Sequence, residues 1–283
     1  MTIPTQITEL QFQKYIEPSL SKAKRGYVSK IPLFKIFNYI LSVVHTGCQW
    51  KTLPIANGVN TAHKEISYQA VYYHFRKWSR DGSWKTVFEH SIQAIKNDVN
   101  LSEIHLDGTH TIGKKGGVSV QYQGRKKAKT SNIIPVTDAH GFIIATSNVL
   151  PGNRNDLNDF DTTLRHIFSD LKHAGLHHRL NGSYLNADAG FDTKTARKIC
   201  FNHCVIPNIP ENQRNRTNAK RGRKRFFNAD VYKHRFTIER SFAWVDKFKR
   251  VLIRFEKIDV FFFAVNLLAF TMINLRFLLN PKV

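Results

Sequence analysis

The 283-residue chain carries 43 Lys and Arg against 21 Asp and Glu, a formal charge of +22 before any of its 13 histidines protonates. With 42% hydrophobic and 12% aromatic residues it has material for one or two packed cores, which excludes wholesale disorder and fibrous classes. A folded surface this basic calls for an anionic partner, nucleic acid or an anionic membrane, because neutralising phosphates releases condensed counterions.

Met1 to Lys14 holds no basic segment followed by an apolar run, so no secretory leader is expected. From Glu9 to about Asn97 the pattern is helical. Phe34, Phe37, Ile40, Leu41 and Val44 recur at three- and four-residue spacing before Gly47, a natural helix stop. A second helix starts at Ser67, with Val71, Phe75 and Trp78 on one face and Arg76, Lys77 and Arg80 away from it. A third starts at Ser83 and carries Trp84, Val87, Phe88, Ile92 and Ile95. From Ser102 the texture turns to strands: Ile104 to Thr111, then Asn132 to Asp138 and Phe142 to Leu150 around a His140-Gly141 turn. Leu157 to His173 is helical, Ser183 to Ala187 a strand, Thr193 to Asn202 a helix, Val205 to Ile209 a strand, and Ala229 to Leu252 one long helix. Cys200 and Cys204 flank His203, but no second ligand pair follows at zinc spacing. With Cys48 they make an odd number, read as free thiols in a reducing cytosol. The apolar stretch Val260 to Leu279 is interrupted by Asn266, Asn274 and Arg276, so it is expected as a buried terminal helix on a sheet and not as a membrane span.

This order of elements predicts an α/β fold, a ribonuclease H-like mixed sheet with flanking helices, preceded by an all-α N-terminal domain. The boundaries follow: a helical domain over 1–98, a candidate for DNA contact, and the α/β domain over 99–283, a candidate for a catalytic site, with a basic loop at 211–227. That loop holds Arg214, Arg216, Lys220, Arg221, Arg223, Lys224 and Arg225 with almost no apolar residue, a composition suited to phosphate contact. The helices at Phe34 to Thr46 and Ser67 to Arg80 form a helix-turn-helix-like candidate, balanced against a plain bundle whose basic face touches phosphates.

In so basic a chain, carboxylates at strand ends stand out. Asp107 sits in Ile104-His105-Leu106-Asp107-Gly108-Thr109, where an apolar strand tolerates a charge poorly unless it is paired. Asp188 ends Tyr184-Leu185-Asn186-Ala187 and precedes Ala189-Gly190, a place where open α/β sheets collect functional groups. Tyr232, Arg235, Glu239 and Asp246 fall along one line of a helix, although an Arg one turn before a Glu can also be a plain surface pair. His105 shares the side of Asp107 and His110 does not; His105 reads as a packed histidine or one that supports the carboxylate from behind. Asp138, Asp156 and Asp192 read as turn or helix caps.

These three carboxylates, on a first strand, a later strand end and a final helix, resemble the Asp-Asp-Glu triad of insertion-sequence transposases. Tyr232-x2-Arg235-x3-Glu239 resembles the Tyr-Arg-Glu-Lys signature of the insertion sequence four and five families, with the basic partner displaced by one to Lys247 because position 246 is Asp. Thr46-Gly47-Cys48-Gln49-Trp50-Lys51-Thr52-Leu53-Pro54 and Phe75-Arg76-Lys77-Trp78-Ser79-Arg80-Asp81-Gly82 resemble the N-terminal domain of the insertion sequence five group. The likeness runs over about residues 9 to 275. It implies an enzyme that frees a 3′-hydroxyl at each terminal inverted repeat and joins it to target DNA. Asp107, Asp188 and Glu239 would be the catalytic and metal-binding carboxylates, and two Mg2+ ions the cofactors, with Mn2+ a substitute. Tyr232, Arg235 and Lys247 would contact DNA. The partners implied are double-stranded DNA and a second copy of the chain in the synaptic complex, without membrane, in the cytoplasm and nucleoid of a bacterium. The alternatives are a non-catalytic regulatory DNA-binding derivative and a related nuclease that acts without strand transfer.

Overall fold

The computed structural model describes residues 3–22, 29–59, 62–153, 159–212 and 225–280. In chain order the helices α1 (Glu9–Tyr15), α2 (Leu33–Thr46), α3 (Tyr68–Arg80) and α4 (Ser83–Ala94) precede strands β1 (Glu103–Leu106), β2 (Thr109–Gly113), β3 (Gln121–Gln123), β4 (Ala128–Ile133), β5 (Pro135–Asp138), β6 (Ile143–Thr146) and β7 (Leu150–Pro151). There follow α5 (Phe160–His173), β8 (Tyr184–Asn186), α6 (Lys194–Asn202), β9 (Ile206–Asn208), α7 (Ala229–Lys233), α8 (Phe236–Val245), α9 (Lys249–Leu252), β10 (Ile253–Arg254), α10 (Asp259–Asn274) and α11 (Arg276–Leu279). The chain folds into two compact units, one made of residues 1–96, 111–121 and 243–283, the other of 97–110 and 122–242.

In the first unit the helices form as their apolar spacing dictates. α2 buries Ile36, Phe37, Ile40, Leu41, Val43 and Val44 and stops at Gly47, whose φ of +73° is left-handed and where an added Cβ would stand 2.9 Å from Lys249 Cβ. Ser67 caps α3 by accepting from the Ala70 N–H. α10 departs from expectation: it packs on the N-terminal helices and not on a sheet. Phe270 meets Phe88 of α4 at 6.2 Å between ring centroids, Phe261 meets Phe75 of α3 at 6.1 Å, and Asn274 Nδ2 donates to Ser91 Oγ at 3.2 Å. The physical reason is that α10 is apolar on every side, with thirteen of its sixteen residues buried, and a bundle surrounds such a helix where a sheet covers one face. Among the described residues no helix is long and apolar enough to cross a membrane.

The second unit is built on a five-stranded mixed sheet in the order β6-β5-β1-β8-β9. β5 runs antiparallel to both β6 and β1, while β1, β8 and β9 are mutually parallel, as the ribonuclease H-like expectation requires. The β5–β6 turn is held by Asp138, which is completely buried and accepts the N–H groups of Asn100 (2.8 Å), His140 (3.0 Å) and Phe142 (2.8 Å). Burial raises its pKa, and those N–H donors pull the other way.

Four predicted elements are each divided, one of them the strand expected over 142–150, which is β6 and β7 in different sheets. The strand expected over 104–111 is two, β1 and β2, and the break falls at Asp107-Gly108, where Asp107 Oδ1 accepts the Gly108 N–H at 2.9 Å. The strand expected over 132–138 is β4 and β5, which belong to different sheets. The helix expected over 229–252 is α7, α8 and α9. Its first break is at His234, whose ring is drawn to Glu103, and its second precedes Phe248, which is completely buried and ends the turn at the foot of α9. Apolar spacing alone does not register such breaks.

Candidate active site

Asp107 is carried to its place by β1, whose Ile104, His105 and Leu106 are buried between β5 and β8. One strand over, β8 ends at Asn186, and Asp188 caps the short 3-10 turn Ala189–Phe191 by accepting the Gly190 N–H at 2.7 Å. Gly190 leaves room for that carboxylate: an added Cβ would stand 2.7 Å from Asp188 Oδ1 and push it aside.

Arg235 lies between α7 and α8 and ties the other two carboxylates together. Its Nη2 donates to Asp107 Oδ2 at 2.6 Å and its Nη1 to Glu239 Oε1 at 3.3 Å. Asp107 and Arg235 are about equally sheltered, with side chains 20% and 19% exposed, whereas Glu239 is 63% exposed. The Arg235 Nε is buried without a hydrogen-bond partner among the described residues, so the guanidinium holds an unspent donor. Tyr232 stands in the same field. Burial raises its hydroxyl pKa, Arg235 opposes that, and Asp188, Asp107 and Glu239 all push it further up. The phenol therefore senses all three carboxylates and stays protonated, a donor, at neutral pH.

His105, behind Asp107, is completely buried, and its pKa is pushed down to about 4 by desolvation and then by His234, Arg235 and Arg240. It is neutral at physiological pH. His110 faces Thr130 Oγ1 at 3.1 Å.

Oxygen donors alone, two Asp and a Glu, suit a hard divalent cation such as Mg2+ in kind. Among the described residues, however, no three His, Cys, Asp or Glu side chains gather into a metal-holding cluster, and a guanidinium bridges two of the three candidates.

The candidate DNA contacts divide. Arg214, Arg216, Lys220, Arg221, Arg223 and Lys224 lie outside the described residues. Arg225 is bonded to Asp192 and lies 3.8 Å from Glu211. Asp192 corrects an expectation: it does not cap α6, because Thr193 Oγ1 takes the Ala196 N–H at 2.9 Å. Its carboxylate, 2% exposed, instead binds Arg197 at 2.8 Å and Arg225, and accepts the Asn212 N–H at 3.1 Å. Lys247, Arg76, Lys77 and Arg80 belong to the first unit. There Lys77 donates to the Ser21 carbonyl at 3.1 Å, and the Arg76 and Arg80 guanidinium groups lie over the Tyr72 and Phe261 rings at 5.7 and 5.6 Å.

Comparison with known families decides the assignment. Residues 100–275 match the model of the transposase DDE domain, and residues 7–88 match that of a putative transposase of the IS4/5 family. The chain belongs to the DDE transposase family. No curated protein matches it. Among solved structures the transposase chain is similar to a pre-cleavage Mos1 transpososome, at 12% identity over 86% of this chain and 85% of that one, with a TM-score of 0.29. It is similar also to the Mos1 mariner paired-end complex with Mn, at 11% identity over 93% and 83% of the two chains, again with a TM-score of 0.29. At that distance the likeness carries neither fold nor chemistry, which rest on the strands and on the family match.

Sequence reasoning missed the polar residues behind the transposase carboxylates: Glu103, Asn186, Asn208, Asn228 and His234. The signal was there in the spacing, since Glu103 and His105 alternate on one side of β1 and Asp107 follows at the same step just past its end, as Asp188 follows Asn186 just past β8.

Proposed function

We infer that this transposase cleaves the ends of an insertion sequence at terminal inverted repeats and joins the freed 3′-hydroxyls to target DNA, with Asp107, Asp188 and Glu239 as its reacting carboxylates. What supports this reading is the family match over residues 100–275 together with the geometry: the paired strands β1 and β8 lead directly to Asp107 and Asp188, and Arg235 joins Asp107 to Glu239. These three side chains would hold the divalent ions. When bound, a pair of Mg2+ or Mn2+ ions supplies activation of the attacking oxygen and stabilisation of the leaving one.

The chain's own residues do the rest. Arg235 neutralises Asp107 and Glu239 before DNA arrives. A phosphate offers the same planar donor fork a stronger bidentate acceptor, so the arriving backbone draws Arg235 off the carboxylates and frees them for cations. The buried Nε supplies a further donor for that phosphate. The protonated Tyr232 hydroxyl donates to the flanking backbone. The helical domain over 1–98, with Arg76, Lys77 and Arg80 on α3, and the basic loop over 211–227 engage the remaining phosphates. Two copies pair two transposon ends.

The test is Asp107→Asn and Glu239→Gln in the full chain. Both variants are expected to bind end DNA like the wild type and to lose Mg2+-dependent strand cleavage. Wild-type cleavage by either purified variant would refute the assignment.

A further inference from the structure

The side of the sheet that carries Asp107 and Asp188 is polar well behind them. Facing residues on neighbouring strands share a side. The registers His105 with Thr137, His105 with Asn186 and Asn186 with Asn208 therefore lay these four residues in one row across β5, β1, β8 and β9, and all four are completely buried. Asp107 and Asp188 follow just past the ends of β1 and β8, two residues after His105 and Asn186.

Buried amides are costly unless paired, and these are paired in a line. Asn186 Nδ2 donates to Glu103 Oε2 at 3.2 Å and faces His105 Nδ1 at 3.3 Å, while its Oδ1 accepts from Asn208 Nδ2 at 2.7 Å. Asn208 also donates to the Asn228 carbonyl at 2.9 Å and accepts the Asn228 N–H at 2.8 Å. Asn228 in turn caps α7, its Oδ1 accepting the N–H groups of Asp230 and Val231 at 3.1 Å each. At the other end of α7, His234 Nδ1 donates to Glu103 Oε1 at 2.8 Å. One end of α7 is thus fixed to β9 and the other to β1.

We propose that Glu103, Asn186 and Asn208 are positioning residues, a polar brace that clamps α7 at both ends and so sets where Tyr232, Arg235 and Glu239 stand against Asp107 and Asp188. The proposal rests on the reading of those carboxylates as the reacting site. Apolar contact holds a helix on a sheet but tolerates sliding and rotation, whereas matched donors and acceptors at both ends admit one register. A misplacement of about 1 Å at a reacting group can cost roughly a hundredfold in rate.

Two variants of the full chain test it. Asn208→Leu removes the middle of the brace at nearly constant volume. His234→Ala removes its end at a side chain 55% exposed, which folding does not require. Each is compared with the wild type by thermal melting, by binding to a short labelled duplex and by Mg2+-dependent nicking of supercoiled plasmid. Both are expected to bind duplex within about twofold of wild type and to nick at least roughly tenfold more slowly, with the loss in kcat and not in KM. Combining His234→Ala with Glu239→Asp should cost less than the product of the separate losses, because both displace the same carboxylate. A folded His234→Ala that nicks at the wild-type rate, or a fully multiplicative double variant, overturns the brace; where Asn208→Leu does not fold, His234→Ala decides. Wild-type nicking by Asp107→Asn would sink the site and the brace together, whereas an inert Asp107→Asn beside a fully active His234→Ala sinks the brace alone.

Discussion

Replacing Arg235 by Gln is expected to tighten the binding of Mn2+ in the absence of DNA. The magnitude follows from the contact the cation must displace. Arg235 reaches Asp107 at 2.6 Å with both side chains about one-fifth exposed, and a charge-assisted hydrogen bond so sheltered contributes about 1.5–3 kcal/mol. The contact to Glu239 at 3.3 Å adds little, because that carboxylate is 63% exposed and screened by solvent. An ion that takes Asp107 must first break the sheltered pair, so removing the guanidinium returns that energy as a roughly ten- to hundredfold gain in affinity. The measurement is a Mn2+ titration followed by electron paramagnetic resonance, on wild type, Arg235→Gln and Arg235→Lys, with and without a short duplex. Duplex should tighten Mn2+ binding to the wild type by drawing Arg235 onto phosphate, and this coupling should be absent from Arg235→Gln. Equal Mn2+ affinity in wild type and Arg235→Gln without DNA would refute the reasoning, since Arg235 would then not compete for Asp107.

Two further outcomes follow from single contacts. His105 has its folded pKa pushed down to about 4, below the unfolded value of 6.5, so the unfolded chain takes up the proton first. Stability from this group is complete above pH 6.5 and is lost as the pH falls toward 4, by about 3 kcal/mol in all; urea unfolding across that window should show a loss larger by about that amount in the wild type than in His105→Gln, because His45, His74 and His203 also have lowered pKa values and contribute to both. Gly190→Ala forces a Cβ to within 2.7 Å of Asp188 Oδ1 and should swing that carboxylate aside. Strand cleavage is expected to fall at least about tenfold while the melting temperature moves by only a few degrees, and unimpaired cleavage would remove Asp188 from the reacting set.

Helices were the most legible part of the sequence because their caps and apolar spacing are local. Ser67 begins α3, Gly47 ends α2 and Thr193 opens α6 as short-range chemistry requires. The errors are long-range. α10 reads equally well as a helix on a sheet or within a bundle, and Phe88, Phe75 and Ser91, nearly two hundred residues away, decide for the bundle. The helix after Ala229 has an unbroken helical pattern, and its interruption at His234 depends on Glu103, 131 residues earlier. Asp192 looked like a cap because it precedes a helix, and two arginines, one of them 33 residues downstream, claim it instead.

The candidate site shows the same division. Residues 107, 188 and 239 could be singled out because a charge in an apolar strand or at its end needs a reason. Their supports could not, because Asn186 and Asn208 look like ordinary polar residues until strand pairing sets them side by side. Yet polar residues recur at every second position along β1 and β8 and just past their ends, Glu103, His105 and Asp107 on the first and Asn186 and Asp188 on the second. Two of the five, His105 and Asn186, are completely buried and Glu103 is only 14% exposed, in a fold that has ample apolar residues to use instead. A sheet face that retains carboxylate, imidazole and amides in its interior gives up hydrophobic stabilisation there, and matched hydrogen bonds recover it only if each partner keeps its place. The rigidity that satisfies those buried groups is also what a reaction between fixed carboxylates and a phosphate demands.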